Sequence, residues 1–129
     1  MKYMLLIYST EAREEFDALA EEEQNAIFAE YMAIQDEPDV LGGDQLQPTD
    51  SATTVRVANG ETLTTDGPFA ETTEQLGGYY LLECKDLDEA IRWAAQIPGA
   101  QQGSVEVRPV MDYEAMGREE AHTQSEGVA

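Results

Sequence analysis

Histidine, lysine and cysteine are nearly missing from this 129-residue chain, and each shortage removes a class of chemistry. Cys84 is the single cysteine, so the fold has no intrachain disulfide and no cysteine-built metal cluster. It lies in an apolar run, where a buried, unreactive thiol is expected. A cysteine nucleophile needs a base beside it, and the one histidine, His122, stands in the polar C-terminal stretch. Basic residues number seven against 27 acidic ones, a formal net charge of −20, and only Lys2 and Lys85 are lysines. Such a surface repels phosphates, so nucleic acid is excluded as a partner. No apolar run approaches bilayer length, and no basic amphipathic helix suggests membrane attachment. Met1–Tyr8 is too short for a signal-peptide core, so a cytoplasmic location is expected.

What is abundant is acid. Two readings compete: a face that attracts cations or amines, and a solvated acidic coat of the kind suited to high salt. The acids are spread along the chain, which favours the coat, and salt is then expected to stabilise the fold by screening. The length suits one domain with a modest core, and the hydrophobic fraction of 42% is that of a globular protein.

Residues 3–8 predict a strand with both faces apolar: Tyr3, Leu5 and Ile7 on one, Met4, Leu6 and Tyr8 on the other. Residues 11–37 predict one or two helices. Ile27, Tyr31 and Ile34 fall at helical spacing, Phe28 and Met32 widen the stripe, and Glu21–Glu23 suit a first turn. Residues 40–46 read as a short strand. Two Thr-rich strands at 53–57 and 61–65, each with one wet face, flank the turn signal Asn59-Gly60. Residues 66–78 read as a loop and 79–84 as a second strand that is apolar on both faces. Asp86 and Glu89 resemble a capping box before a helix whose stripe is Leu87, Ala90, Ile91 and Ala94. Residues 104–109 alternate as a last strand, and 112–129 read as a polar tail with a short helix.

The resulting class is α+β, a ferredoxin-like β-α-β-β-α-β plan with an inserted β-hairpin. In that plan both helices lie on one sheet face. The two-faced strands therefore predict a homodimer that joins the bare sheet faces around a twofold axis.

The segment Asp66-Gly67-Pro68-Phe69-Ala70-Glu71-Thr72-Thr73-Glu74-Gln75-Leu76-Gly77-Gly78-Tyr79-Tyr80 closely resembles the signature of DGPF-domain proteins within the YciI-related group. Lys2–Tyr8, Gly42–Pro48 and Gly103–Pro109 extend the resemblance, so residues 1–111 are taken as that domain and 112–129 as a tail outside it. The resemblance implies a dimeric α/β-barrel assembly. For activity it implies a superfamily of small-molecule isomerases, monooxygenases and dehalogenase-like enzymes. Some members are encoded beside extracytoplasmic-function sigma factors, which implies a stress-response setting. The shorter YciI type is thought to use a His-Asp pair. This chain has no histidine before position 122, so that base does not carry over.

The candidate catalytic residues are Asp66, Glu71 and Glu74, carboxylates whose crowding would split their pKa values into an acid and a base. The alternative for Asp66 is a turn cap within Asp-Gly-Pro. Candidate ligand-binding residues are Tyr31, Gln45, Arg56, Tyr79 and Arg108. The tyrosines offer a ring with a phenol handle, and the arginines a clamp for a carboxylate. The competing accounts are core packing for the tyrosines, pairing with neighbouring acids for the arginines, and satisfying a loop carbonyl for Gln45. No metal site has diagnostic spacing and no cofactor is expected. Two functions stand side by side. One is a cofactor-independent isomerase- or lyase-like enzyme with a pocket near Asp66. The other is a non-catalytic binding or regulatory module.

Overall fold

Tyr and β-branched or aliphatic residues at alternating positions make the chain's first segment a strand, and a computed structural model shows how the rest is built on it. The structure describes residues 1–9, 16–68 and 74–116. Strand β1 (Lys2–Ser9) is central, flanked by β5 (Gln75–Glu83) and β6 (Ser104–Pro109), both antiparallel to it. Strand β2 (Val40–Gln45) pairs with the far side of β5, giving the order β2-β5-β1-β6. This is a mixed α+β domain with an antiparallel sheet, and its strand order follows the predicted plan.

Helix α1 (Glu21–Gln35) begins with Glu21, Glu22 and Glu23, whose charges suit the positive end of the helix dipole. It ends at Asp36, whose N–H reaches the Met32 carbonyl at 3.0 Å. Helix α2 (Leu87–Gln96) starts on Asp86, whose carboxylate accepts the Glu89 N–H at 2.9 Å. Glu89 reaches back to the N–H of Lys85 at 3.2 Å, one residue before the cap, so the reciprocal half of the capping box is displaced. A one-turn helix, α3 (Gly99–Gln102), leads into β6, and another, α4 (Tyr113–Met116), starts on Asp112, which accepts the Ala115 N–H at 3.0 Å.

Both long helices bury side chains in one cluster with the inward residues of the sheet. Tyr3, Leu5, Ile7, Tyr80 and Leu82 meet Ile34 of α1 and Ala90 and Ala94 of α2, with Ile97 and Cys84 at the margin. The expected α2 stripe is corrected here. Leu87 and Ile91 are about half exposed, and the buried line runs Ala90, Ala94 and Ile97 with Trp93 beside it. Two alanines on the inner face let the helix backbone sit close to the sheet, and longer side chains are turned outward.

Strands β3 (Thr53–Ala58) and β4 (Glu61–Asp66) form a separate two-stranded sheet. Asn59 and Gly60 take φ of 52° and 78°, the left-handed pair that the Asn-Gly signal predicts. The expectation of one wet face is corrected too, since no residue of either strand is buried and both faces meet solvent. No described helix is long and apolar enough to cross a membrane.

The closeness of α2 to the sheet has a direct test. Ala90→Leu is expected to overpack the core and lower stability by about 1–3 kcal/mol. Urea unfolding with an unchanged slope would read this as strain, and an unaltered midpoint would refute the close packing.

Candidate functional site

The helix-facing side of the β2–β5 edge carries an aromatic-walled cleft, and it exists because Gly43 has no side chain. A Cβ there would stand 2.5 Å from Tyr80 Cδ1 and 2.6 Å from the Tyr79 carbonyl oxygen. The glycine lets the Tyr80 ring lie against β2. From there its hydroxyl donates to the Tyr31 carbonyl of α1 at 2.9 Å. The Tyr31 ring is stacked over it, 6.5 Å between centroids and 20° between planes. The Tyr31 hydroxyl accepts the Gly99 N–H at 3.0 Å, and its own proton has no acceptor among the described residues. Gln35 donates to the Gly43 carbonyl at 3.4 Å, joining α1 to β2 at the other end.

These contacts frame a cavity of about 170 Å³ lined by Ile7, Phe28, Tyr31, Met32, Gln45 and Tyr80, among others. Phe28 and Met32 form its rim and remain 46% and 54% exposed. Burial raises the Tyr31 phenol above its ordinary range. The Gly99 N–H pulls it back, and Glu30 pushes it up again. Burial, followed by the proximity of Tyr31, pushes Tyr80 up to about 12. Both phenols are neutral hydrogen-bonding groups at physiological pH and cannot serve there as bases.

The structure gathers some of the predicted residues and separates others. Tyr31, Gln45 and Tyr79 all border the cleft, but the alternation of β5 turns the Tyr79 ring to the opposite sheet face. There its hydroxyl donates to Asp44 Oδ2 at 3.3 Å. Arg56 is exposed on the hairpin. Arg108 is bound to Glu106, with 3.1 Å from Nε to Oε2, and the hydrogen bond and charge of that carboxylate raise its pKa further. Glu71 lies outside the described residues.

Asp66 ends β4 and is exposed. The turn that follows is held by the Gly67 N–H on the Ala52 carbonyl at 2.7 Å and by Thr54 Oγ1 on the Gly67 carbonyl at 2.8 Å. Gly67 has a φ of 92°, a left-handed conformation that only glycine adopts without strain. The Asp66 carboxylate takes part in neither bond and lines neither of the two hollows described here. Its hairpin stands off from the main sheet, which is why.

Glu74 accepts from Ser104 Oγ at 3.2 Å and lines a second hollow of about 500 Å³. Tyr8, Leu46, Leu76, Ala52 and Pro68 border it too. No group of three or more His, Cys, Asp and Glu side chains among the described residues is gathered as a metal site. Cys84 is buried, and burial raises its thiol pKa, with Glu89 and Asp39 adding to the shift, so it stays protonated.

The roles of Phe28, Met32, Gln35, Gly43 and Gly99 escape the sequence reading. One signal was available: an apolar stripe on α1 that includes both Phe28 and Met32 is wider than a small core needs.

The fold and the cleft together define an antiparallel α+β domain with a ring-sized hollow under its first long helix. The chain belongs to the YCII-related family, whose domain model matches residues 1–114. It is also similar to an uncharacterized protein of Rhizobium meliloti (strain 1021), 41% identical over 119 residues that span 88% of this chain and 94% of the relative.

The raised phenols predict an alkaline loss of stability. In the unfolded chain Tyr80 releases its proton near its ordinary value of 10.0, whereas the folded protein holds it to about 12. The contribution is therefore complete below pH 10 and disappears as pH rises through 12. The unfolding midpoint of the wild type is expected to fall more steeply across this window than that of Tyr80→Phe. Parallel curves for the two proteins would contradict the assignment.

Proposed function

We propose that this protein binds a small, largely apolar molecule, about one ring in size and bearing a hydrogen-bond acceptor, in the cleft between α1 and the β2–β5 edge. The observation that carries this reading is the Tyr31 side chain. Its ring forms the wall, its oxygen is fixed by Gly99, and its proton has no acceptor among the described residues. The volume of about 170 Å³ is close to the roughly 150 Å³ of a dry cavity that holds benzene. It is smaller than the roughly 300 Å³ at which drug-sized sites begin. The exposed apolar side chains of Phe28 and Met32 at the mouth support an apolar occupant. Burial raises the phenols of Tyr31 and Tyr80 further from neutral pH, which favours binding over proton transfer in the cleft. A module of this kind suits the stress-response setting that the resemblance implies.

One observation favours an enzyme instead. The larger hollow, about 500 Å³, includes Pro68 and Glu74, the residues on either side of 69–73. An isomerase- or lyase-like proton transfer there would use Glu74.

The same reading includes a twofold dimer through the open sheet face. Met4, Leu6, Tyr79 and Leu81 form a half-buried row on that face, opposite the helices. Light scattering reads the assembly directly: twice the 14.2 kDa chain mass is expected for the wild type and the single mass for Leu6→Asp.

Ligand-observed NMR with acetophenone, toluene and benzoate separates the two functions. Acetophenone is expected to bind and Met32→Trp, which fills the mouth, to abolish binding. Tyr31→Phe should weaken acetophenone about 2- to 12-fold, the loss of one neutral hydrogen bond, and leave toluene unchanged. If no ring-sized compound binds, or Met32→Trp leaves binding intact, the cleft is not the site. Turnover lost in a folded Glu74→Gln would instead establish the enzyme.

A further inference from the structure

We propose that the β3–β4 hairpin is an arm that packs on a second copy of the chain, burying its Val55, Val57, Thr62 and Thr64 face. This rests on the dimer reading above. A two-stranded hairpin is marginally stable in water without something to cover a face. Here the ladder is complete from Thr53↔Asp66 to Ala58↔Glu61, yet neither strand holds a buried residue. Among the described residues the arm is tied only at its base, by the Gly67–Ala52 and Thr54–Gly67 hydrogen bonds.

The two faces of the arm differ in chemistry. The strand register puts Thr53, Val55 and Val57 on one face with Thr62 and Thr64, all β-branched and uncharged, with Asp66 at the base. The other face carries the charges of Arg56 and Glu61 among Thr54, Ala58, Leu63 and Thr65. Val55 and Val57 are 57% and 71% exposed. A hairpin whose faces differ in this way is patterned for half-burial, and the described residues of this protomer supply no surface for the dry half.

Continuity with the sheet identifies the occupant. Tyr8, Leu46 and Leu76 border the hollow of about 500 Å³, and Ala52 and Pro68 bring the base of the arm to the same hollow. Register places Tyr8 and Leu76 opposite each other on the face that also holds Leu6 and Met4. The arm thus rises from one end of the open sheet face and prolongs it. When two such faces meet around a twofold axis, an arm projecting past the end of one lies against the other copy. Charge agrees. In a chain of net charge −20, the open row and the dry arm face hold uncharged side chains except for Asp66 at the base, and the charges that register places beside the row, Lys2 and Arg108 against Asp44, Glu83 and Glu106, nearly cancel, so two copies meet there with little repulsion. The hollow is then closed by the partner, and the small-molecule space at that end is complete only in the dimer.

Hydrogen exchange on the full chain tests this, with light scattering on the same samples. In wild-type dimer the amides of residues 55–57 and 62–64 should exchange at least about tenfold more slowly than in monomeric Leu6→Asp. Val57→Asp should raise the dimer dissociation constant at least about tenfold, whereas Leu63→Asp, on the charged face, should leave it unchanged. Equal exchange in dimer and monomer, or equal effects of Val57→Asp and Leu63→Asp, overturns the arm and leaves the dimer standing. A monomeric wild type overturns both. Circular dichroism of each variant separates a lost contact from a lost fold.

Discussion

Tyr80 is where sheet, helix and cleft are joined. Its ring occupies the space that Gly43 leaves on β2, its backbone belongs to the strand beside β1, and its hydroxyl holds the Tyr31 carbonyl of α1. The position of α1 over the sheet is therefore set by a buried, fully used phenol as well as by apolar burial. Tyr31 passes the constraint on to Gly99, so the turn before β6 is held by the same chain of contacts. A cavity survives because these hydrogen bonds keep the helix from settling further onto the sheet at this end. At the other end, small alanines on α2 allow close approach to the sheet.

The acidic coat belongs with this plan. A small domain with strong self-repulsion keeps its charges outside, and Asp44 is the one charged residue in the cleft lining. The acids form a solvated surface, and Glu106 holds the guanidinium of Arg108.

Local signals in the sequence were readable because local interactions decide them. Asn59-Gly60 forms its turn by backbone preference alone, and Asp86 caps α2 with a bond spanning three residues. The β-α-β-β-α-β order was readable from the run of strand and helix patterns, and among the described residues both long helices pack on one face of the sheet. The cleft was harder to see because its defining bonds join residues far apart in the chain, such as Tyr31 with Gly99 and Tyr80 with Tyr31. No pattern of composition or periodicity records such pairs. The emphasis on Asp66 came from a turn motif whose hydrogen bonds are made by the backbone of Gly67, with no use of the carboxylate. Leu87 and Ile91 misled for a similar reason: hydrophobicity marks a helix face only when its neighbours leave room for large side chains.

The bond between Gly67 and Ala52 carries one more consequence. It brings the two ends of the inserted hairpin together at 2.7 Å, so the main sheet sees the insertion as a single point of attachment. A segment attached in this way can lengthen, shorten or change its surface without altering the register of β2 or β5. The domain is modular at this junction: the hairpin's surface can change while the internal scaffold stays the same.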